Sequence, residues 1–133
     1  MLKPPFSCIV IGPSGAGKTT LTRKLIQHQN PPFSHVFIIF KTQQELYCEL
    51  EKHFPVTYVC QNDTTCPTIE EFEGMLKHAG SNPVLLVDDV GLSEPSSRVI
   101  NLLIAIFTRL CHHNNLSTFF ITCLLYTSDA ADD

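Results

Sequence analysis

Residues 6–20 read FSCIVIGPSGAGKTT. In this stretch an apolar run ends at a glycine, a glycine-rich loop follows, and a lysine with two threonines opens the next segment. Short apolar runs bounded by glycine are typical of buried strands, and the residues after Lys18 have the spacing of an amphipathic helix. The strand, loop and helix together fit the pattern GxxxxGK[ST] at every fixed position. The stretch therefore predicts a loop that binds nucleotide phosphates.

The residue types of this loop have a physical cause. Glycines let the backbone curl so that successive N–H groups point at one anion, and the next helix turns its positive end toward the same place. Lys18, the first candidate catalytic residue, supplies positive charge to the β and γ phosphates, and Thr19 supplies a hydroxyl to Mg²⁺. ATP or GTP is expected to contact Gly12, Pro13, Ser14, Gly15, Ala16, Gly17, Lys18, Thr19 and Thr20.

A second acidic motif stands at residues 84–89, which read VLLVDD. A buried parallel strand delivers its last residues to the edge of the sheet where ligands bind. Asp88 is therefore expected to hold Mg²⁺ through water, and Asp89 to act as a general base that orients the attacking water. For both residues the alternative is a carboxylate that caps a helix or a turn, and this alternative weighs more heavily for Asp89 because its side chain is shorter than the usual Glu.

Apolar runs alternate with helical patterns along the chain. The predicted strands are 6–11, 35–40, 56–60, 84–87 and 116–122. The predicted helices are 19–29, 42–53, 67–78 and 93–112, the last with apolar residues around most of its circumference and so expected to be well buried. Thr68 and Glu71 predict a capping box, and residues 80–83 predict a turn. This alternation predicts an α/β fold with a mainly parallel sheet. For a nucleotide-binding domain of this kind, we expect strand 116–122 to lie between strands 6–11 and 84–87.

The composition limits the classes of protein to which the chain can belong. The chain has 133 residues, 44% of them hydrophobic and 17% charged, which suits one domain with a real core and argues against disorder. The formal net charge of −4 gives no basic footprint for nucleic acid. The six cysteines form no CxxC pair, and no secretory signal or membrane-length apolar run stands out, so reduced thiols inside a cell are expected. Zinc at Cys111, His112 and His113 is disfavoured because no finger spacing accompanies them.

The last residues, 123–133, read CLLYTSDAADD. This string matches the translation of a transposon-based sequencing adapter, so we expect it to be a non-native tail, and no element of the fold is predicted from it. The P-loop ATPase domain is then expected at residues 1–122, with native sequence continuing elsewhere. The alternative is a genuine acidic C-terminus, and longer reads of the locus distinguish the two.

Four segments resemble one known family, the poxvirus-type and Polinton/adintovirus-type DNA-packaging ATPases of the FtsK/HerA superfamily. They are the loop and helix at 11–25, QELY at 44–47, LLVDD at 85–89, and FTRLCHHNNLS at 107–117 running into FFIT at 119–122. The His-His-x-Asn-x-Ser part of the last segment is the most specific to that family. The glycine loop and the acidic motif, which correspond to the Walker A and Walker B motifs, do not select it alone.

The resemblance implies a RecA/ASCE-like P-loop NTPase fold of three layers. It implies a homo-oligomeric ring that uses ATP and Mg²⁺ to pull viral double-stranded DNA into a preformed capsid, with capsid proteins as further partners and no membrane. The expected location is the cytoplasm or nucleus of the infected host, or the virion. The family commonly has a sensor Gln after Thr122, where this chain has Cys123, so the domain is expected to be C-terminally incomplete and to turn over little ATP alone.

The resemblance also implies that an arginine from a neighbouring subunit completes hydrolysis. Arg109 lies within the last matched segment and is the preferred candidate, with Arg98 as the other. The alternative for Arg109 is a solvated charge in the last turn of a helix, where the helix dipole favours cations.

Two other functions stay open at this point. A nucleotide kinase would need a lid rich in arginine, and the chain has few arginines. A non-hydrolysing nucleotide-binding module in capsid assembly would keep the phosphate loop without turnover. A typical GTPase is disfavoured because no NKxD motif is present.

Overall fold

The structure is a computed structural model that describes residues 3–12, 17–40, 45–60, 65–88 and 97–123. Several predicted features lie outside these residues: the loop at 13–16, Asp89, and the tail beyond Cys123.

A parallel sheet of five strands forms the centre of the domain. The strands are β1 Ser7–Gly12, β2 His35–Phe40, β3 Val56–Cys60, β4 Pro83–Asp88 and β5 Ser117–Cys123. The helices are α1 Lys18–Gln27, α2 Glu45–Glu51, α3 Ile69–Lys77, α4 Ser97–Ala105 and α5 Cys111–His113. The strand order is β1-β5-β4-β2-β3, which confirms the α/β prediction and the position of the last strand between β1 and β4.

Strand β4 lies at the centre of the sheet and is buried along its whole length. A strand covered on both faces needs apolar residues in both alternating sets, which explains its continuous apolar run. Val84 and Leu86 pack on one face against α1 and α2, while Leu85 and Val87 pack on the other against α3 and α4. The sheet is therefore the middle layer of three.

Helix α3 begins with the predicted capping box. The Thr68 hydroxyl accepts a bond of 3.1 Å from the N–H of Glu71, and the Glu71 carboxylate accepts one of 2.8 Å from the N–H of Thr68. Phe72 and Leu76 then pack into the core one turn apart. The prediction of this helix start is confirmed.

The predicted helix 93–112 needs correction. Within the described residues, α4 is followed by a π-helical segment, Ile106–Leu110, before the short α5. The N–H of Cys111 donates to the carbonyl of Ile106, and its thiol donates to the same oxygen over 2.7 Å. The Thr108 hydroxyl donates to the carbonyl of Ile104 over 2.7 Å. Such side-chain bonds to carbonyls compete with the regular α-helical ladder.

The expectation that this helix is buried around most of its circumference was also wrong. Val99 and Leu102 are buried, whereas the side chains of Ile104 and Phe107 are 55% and 38% exposed. Phe107 lies beside the face of β1 and β5 that carries Ile9 and Phe120.

The outer strand β1 carries an exposed apolar surface. On β1 the side chains of Ile9 and Ile11 are 66% and 60% exposed, since the described helices cover only the other face of this strand. A groove of about 470 Å³ lies beside them and is lined by Ser7, Cys8, Ile9, Phe107, Thr118, Phe120 and Thr122.

Among the described residues, no helix is both long and apolar enough to cross a membrane.

Candidate functional site

The carboxyl ends of β1, β5 and β4 meet at one edge of the sheet. The register aligns Asp88 with Ile121 of β5, and Ile121 with Val10 of β1. At the usual spacing of parallel strands, Asp88 is therefore about 10 Å across the sheet from Val10, which lies two residues before the end of β1 at Gly12. Ligands of open α/β sheets bind at this edge. The sequence prediction that the glycine loop and the acidic motif share an edge agrees with this register.

Helix α1 begins directly after the glycine loop. Gly17 has φ of +85°, a left-handed conformation that glycine adopts without steric cost, and it caps the helix. The N–H of Leu21 donates to the carbonyl of Gly17 over 2.9 Å, so the helix is regular from its first turn. Its N-terminus carries partial positive charge to the edge where β1 ends.

The ammonium group of Lys18 lies beside the start of the loop. Its Nζ donates a hydrogen bond of 2.7 Å to the carbonyl of Gly12, the last residue of β1. The side chain is only partly buried. The cation is therefore held between the strand end and the helix start, at the two ends of the segment predicted to enclose phosphate.

Several predicted contacts with nucleotide stay predictions. Pro13, Ser14, Gly15 and Ala16 lie outside the described residues, and so does the side chain of Thr19. Thr20 follows within α1 and is exposed.

Asp88 is the last residue of β4 and is only 4% exposed. Its Oδ2 atom accepts a hydrogen bond of 2.6 Å from the hydroxyl of Tyr47, a fully buried residue of α2. A buried carboxylate costs free energy unless donors or cations compensate it. Asp88 therefore has an environment in which one donor is fixed by the protein and in which a cation would be favourable.

Tyr47 had no role in the sequence interpretation. It lies within the QELY segment, but the contact with Asp88 joins residues 41 apart in sequence. One signal was present: a tyrosine on a buried face of a helix needs a partner for its hydroxyl. The residue that serves as partner became visible only with the register of β2 and β4.

The residues present fit Mg²⁺. Magnesium prefers oxygen ligands and is usually held by one or two carboxylates together with substrate phosphates. Asp88 supplies a carboxylate at the edge where the phosphate loop begins. Within the described part of the chain, no group of three or more His, Cys, Asp or Glu residues lies together to favour a softer metal.

The structure does not bring the arginines to this site. Arg109 is exposed on the π-helical segment. This segment precedes the start of β5, so it lies toward the amino ends of the strands, opposite the ends that carry Asp88 and Gly12. Arg98, in the first turn of α4, lines a cleft of about 860 Å³ together with His35 and residues of α3. Asp89 lies outside the described residues, so its assignment as general base stays a prediction.

Two solved structures share this fold. The cytoplasmic domain of the Thermomonospora curvata type VII secretion ATPase EccC aligns with a TM-score of 0.56 at 14% identity, covering 90% of this chain and 16% of that one. The genome packaging NTPase B204 from Sulfolobus turreted icosahedral virus 2, in complex with sulfate, aligns with a TM-score of 0.52 at 16% identity, covering 93% of this chain and 67% of that one. At these identities the likeness concerns the fold alone.

Comparison of sequences gives the family. No curated protein sequence matches the chain. Residues 5–124, which include every strand and helix described above, match the AAA domain family. Since this match spans nearly the whole chain, the protein belongs to the AAA domain family and is an AAA-type P-loop ATPase domain built on a five-stranded parallel sheet.

Proposed function

We propose that the chain is the ATP-hydrolysing domain of a motor that moves viral double-stranded DNA into capsids. One observation carries the nucleotide part of the proposal: Lys18, which is bonded to the end of β1, and Asp88, which ends β4, lie at the same edge of the sheet, and β5 separates these two strands. A cation for phosphate and a carboxylate for Mg²⁺ are the two charges that a P-loop site requires.

Each residue has a defined part in this proposal. The N–H groups of the loop and the N-terminus of α1 hold the polyphosphate, and Lys18 neutralises charge on its β and γ groups. Thr19 and Asp88 hold Mg²⁺, which when bound stabilises negative charge on the transferred phosphoryl group. Asp89 orients the attacking water as general base.

Packaging is supported by the sequence segments together with the fold. The fold of the genome packaging NTPase B204 extends over 93% of this chain. EccC has the same fold and is a secretion ATPase, so the fold does not distinguish genome packaging from secretion. The segment at 107–122, with its His-His-x-Asn-x-Ser part, favours packaging because it resembles that family specifically.

The proposal includes a homo-oligomeric ring, with double-stranded DNA and capsid proteins as partners. Arg109 is the proposed arginine that acts on the site of a neighbouring subunit. Its exposure and its distance from the site of its own chain agree with a role between subunits. A solvated charge at the end of a helix explains the same position, so substitution of Arg109 in the assembled ring is the test.

Phosphate release tests the proposed function. The full-length protein should release phosphate from ATP with Mg²⁺, and double-stranded DNA should stimulate the rate. Asp89→Asn should retain MgATP binding while losing turnover. Transfer of phosphate to a nucleoside monophosphate would indicate a kinase instead, and absence of turnover in the wild type would indicate a non-hydrolysing module.

A further inference from the structure

We propose that Tyr47 is a positioning residue that fixes the orientation of the Asp88 carboxylate toward Mg²⁺. This inference rests on the proposed function, because it concerns the same nucleotide site. It concerns a residue of α2 that neither the glycine loop nor the acidic motif contains.

The contact has the geometry of a strong hydrogen bond. The Tyr47 hydroxyl and Asp88 Oδ2 are 2.6 Å apart, a separation typical of a hydroxyl donating to a carboxylate. Tyr47 is fully buried and Asp88 is 4% exposed, so bulk water competes little for either group. The strength of such a bond rises in a medium of low polarity.

The ring of Tyr47 is itself held in place. Its centroid lies 5.2 Å from that of Phe40 and 6.1 Å from that of Tyr58, both in edge-on arrangements. Phe40 is the residue of β2 that pairs in register with Asp88. The ring is thus packed against the neighbour of the carboxylate that its hydroxyl contacts, and the hydroxyl has little freedom to move away.

Helix α2 also packs against α1, the helix that begins with Lys18. One helical layer therefore supports both charged groups of the site, through Lys18 on α1 and through Tyr47 on α2. This placement explains how a residue far from the glycine loop in sequence can set the geometry of the metal carboxylate.

A positioning role differs from simple burial of a hydroxyl. A carboxylate has about four lone-pair sites, and the bond from Tyr47 engages one of them and limits rotation of the group. Limited rotation favours one geometry for a water-mediated metal contact. If the hydroxyl were only a buried group in need of a partner, its removal would change stability and leave the Mg²⁺ dependence of nucleotide binding unchanged.

The test compares Tyr47→Phe with Tyr58→Phe in the full-length protein. Tyr58 belongs to the same aromatic cluster, but its hydroxyl contacts Glu51 on the exposed side. Binding of a fluorescent ATP analogue is titrated with Mg²⁺, and also measured in EDTA. We expect the Mg²⁺ concentration for half-maximal binding to rise about tenfold in Tyr47→Phe, the size of one hydrogen bond to a charged group. Affinity in EDTA should not change, and Tyr58→Phe should match the wild type.

The outcomes separate this inference from the proposed function. If the wild type does not bind the nucleotide with Mg²⁺, the proposed function itself fails. If the wild type binds and Tyr47→Phe keeps the wild-type Mg²⁺ dependence, the positioning role is overturned. Melting temperatures are measured first, and titrations are run below that of the least stable variant.

A double variant gives a second criterion. If Tyr47 acts only through Asp88, adding Tyr47→Phe to Asp88→Asn should cause no further change in Mg²⁺ dependence. An additional loss of the same size in the double variant would contradict the inference, because the two residues would then act independently.

Discussion

At the scale of single residues, the charged groups of the site are explained by where their strands end. Asp88 closes a strand whose preceding residues are all apolar and buried, so its carboxylate meets the edge of the sheet with little water around it. Lys18 is the first residue of α1, and its ammonium group donates a hydrogen bond to the carbonyl of Gly12, the last residue of β1. A lysine and a buried carboxylate at one edge of the sheet are the two charges that a phosphate and its Mg²⁺ require.

Asp88→Asn tests the carboxylate at this scale. The amide keeps the shape of the side chain and an acceptor for Tyr47, but it removes the charge. We expect Mg²⁺ affinity in the presence of nucleotide to fall about 10- to 100-fold. The free energy of unfolding should stay equal or rise, because a buried charge costs desolvation. Glu70→Gln, on the exposed first turn of α3, is the matched control. Unchanged Mg²⁺ affinity in Asp88→Asn would remove Asp88 from the metal site.

At the scale of elements, hydrogen bonds link the turn before β4 to the residue before β2, the neighbouring strand. Gly80 has φ of +84°, and a Cβ atom there would lie 2.6 Å from Cβ of Ser34. The Ser34 hydroxyl donates to the carbonyl of Ala79 over 2.6 Å and accepts from the N–H of Asn82 over 3.0 Å. These bonds fasten the residue before β2 to the turn before β4, and so help to align the two strands that end at Phe40 and Asp88.

A pair of glycine substitutions tests this turn. Gly80→Ala should destabilise the domain by about 2–4 kcal/mol, because the left-handed conformation and the contact with Ser34 both oppose a side chain. Gly74→Ala, within α3 and with nothing within 4 Å of the added atom, should stabilise it by about 0.5–1 kcal/mol. Chemical denaturation measures both. Equal effects of the two changes would contradict the described turn.

Elements differed in how far the sequence could predict them. All five strands, the capping box at Thr68 and the turn at Gly80 followed from local patterns, and they were confirmed. The π-helical segment did not, because it depends on bonds from Cys111 and Thr108 to particular carbonyl oxygens. The exposure of Ile104 was missed for another reason: apolar periodicity reports the residue types of a helix, while burial depends on which neighbours cover it.

At the scale of the whole molecule, the alternation of strands and helices predicted a parallel sheet, and the expected position of the last strand between β1 and β4 was confirmed. The bond between Tyr47 and Asp88 could not be predicted, since it depends on the placement of α2 over the sheet. The exposed apolar surface of β1 could not be predicted from the sequence either. Its run of apolar residues reads as a fully buried strand, yet only one of its faces is covered by the described helices.

Ile9→Thr tests that surface. Threonine keeps a β-branched side chain suited to a strand, so the free energy of unfolding should change by less than about 0.5 kcal/mol. Val10→Thr, on the covered face of the same strand, should cost about 1–3 kcal/mol because it buries a hydroxyl. Binding of a hydrophobic dye to the folded protein should fall in Ile9→Thr alone. A large loss of stability in Ile9→Thr would show that this face is covered.

The most direct test of the nucleotide site is calorimetric binding of MgATP to the wild type and to Lys18→Ala. Lys24→Ala, an exposed lysine in the last turn of the same helix, is the control. We expect Lys18→Ala to weaken binding about 30-fold or more, because charge-assisted contacts to phosphate are lost, while Lys24→Ala binds like the wild type. Equal affinity of the wild type and Lys18→Ala would contradict a phosphate site at this edge of the sheet.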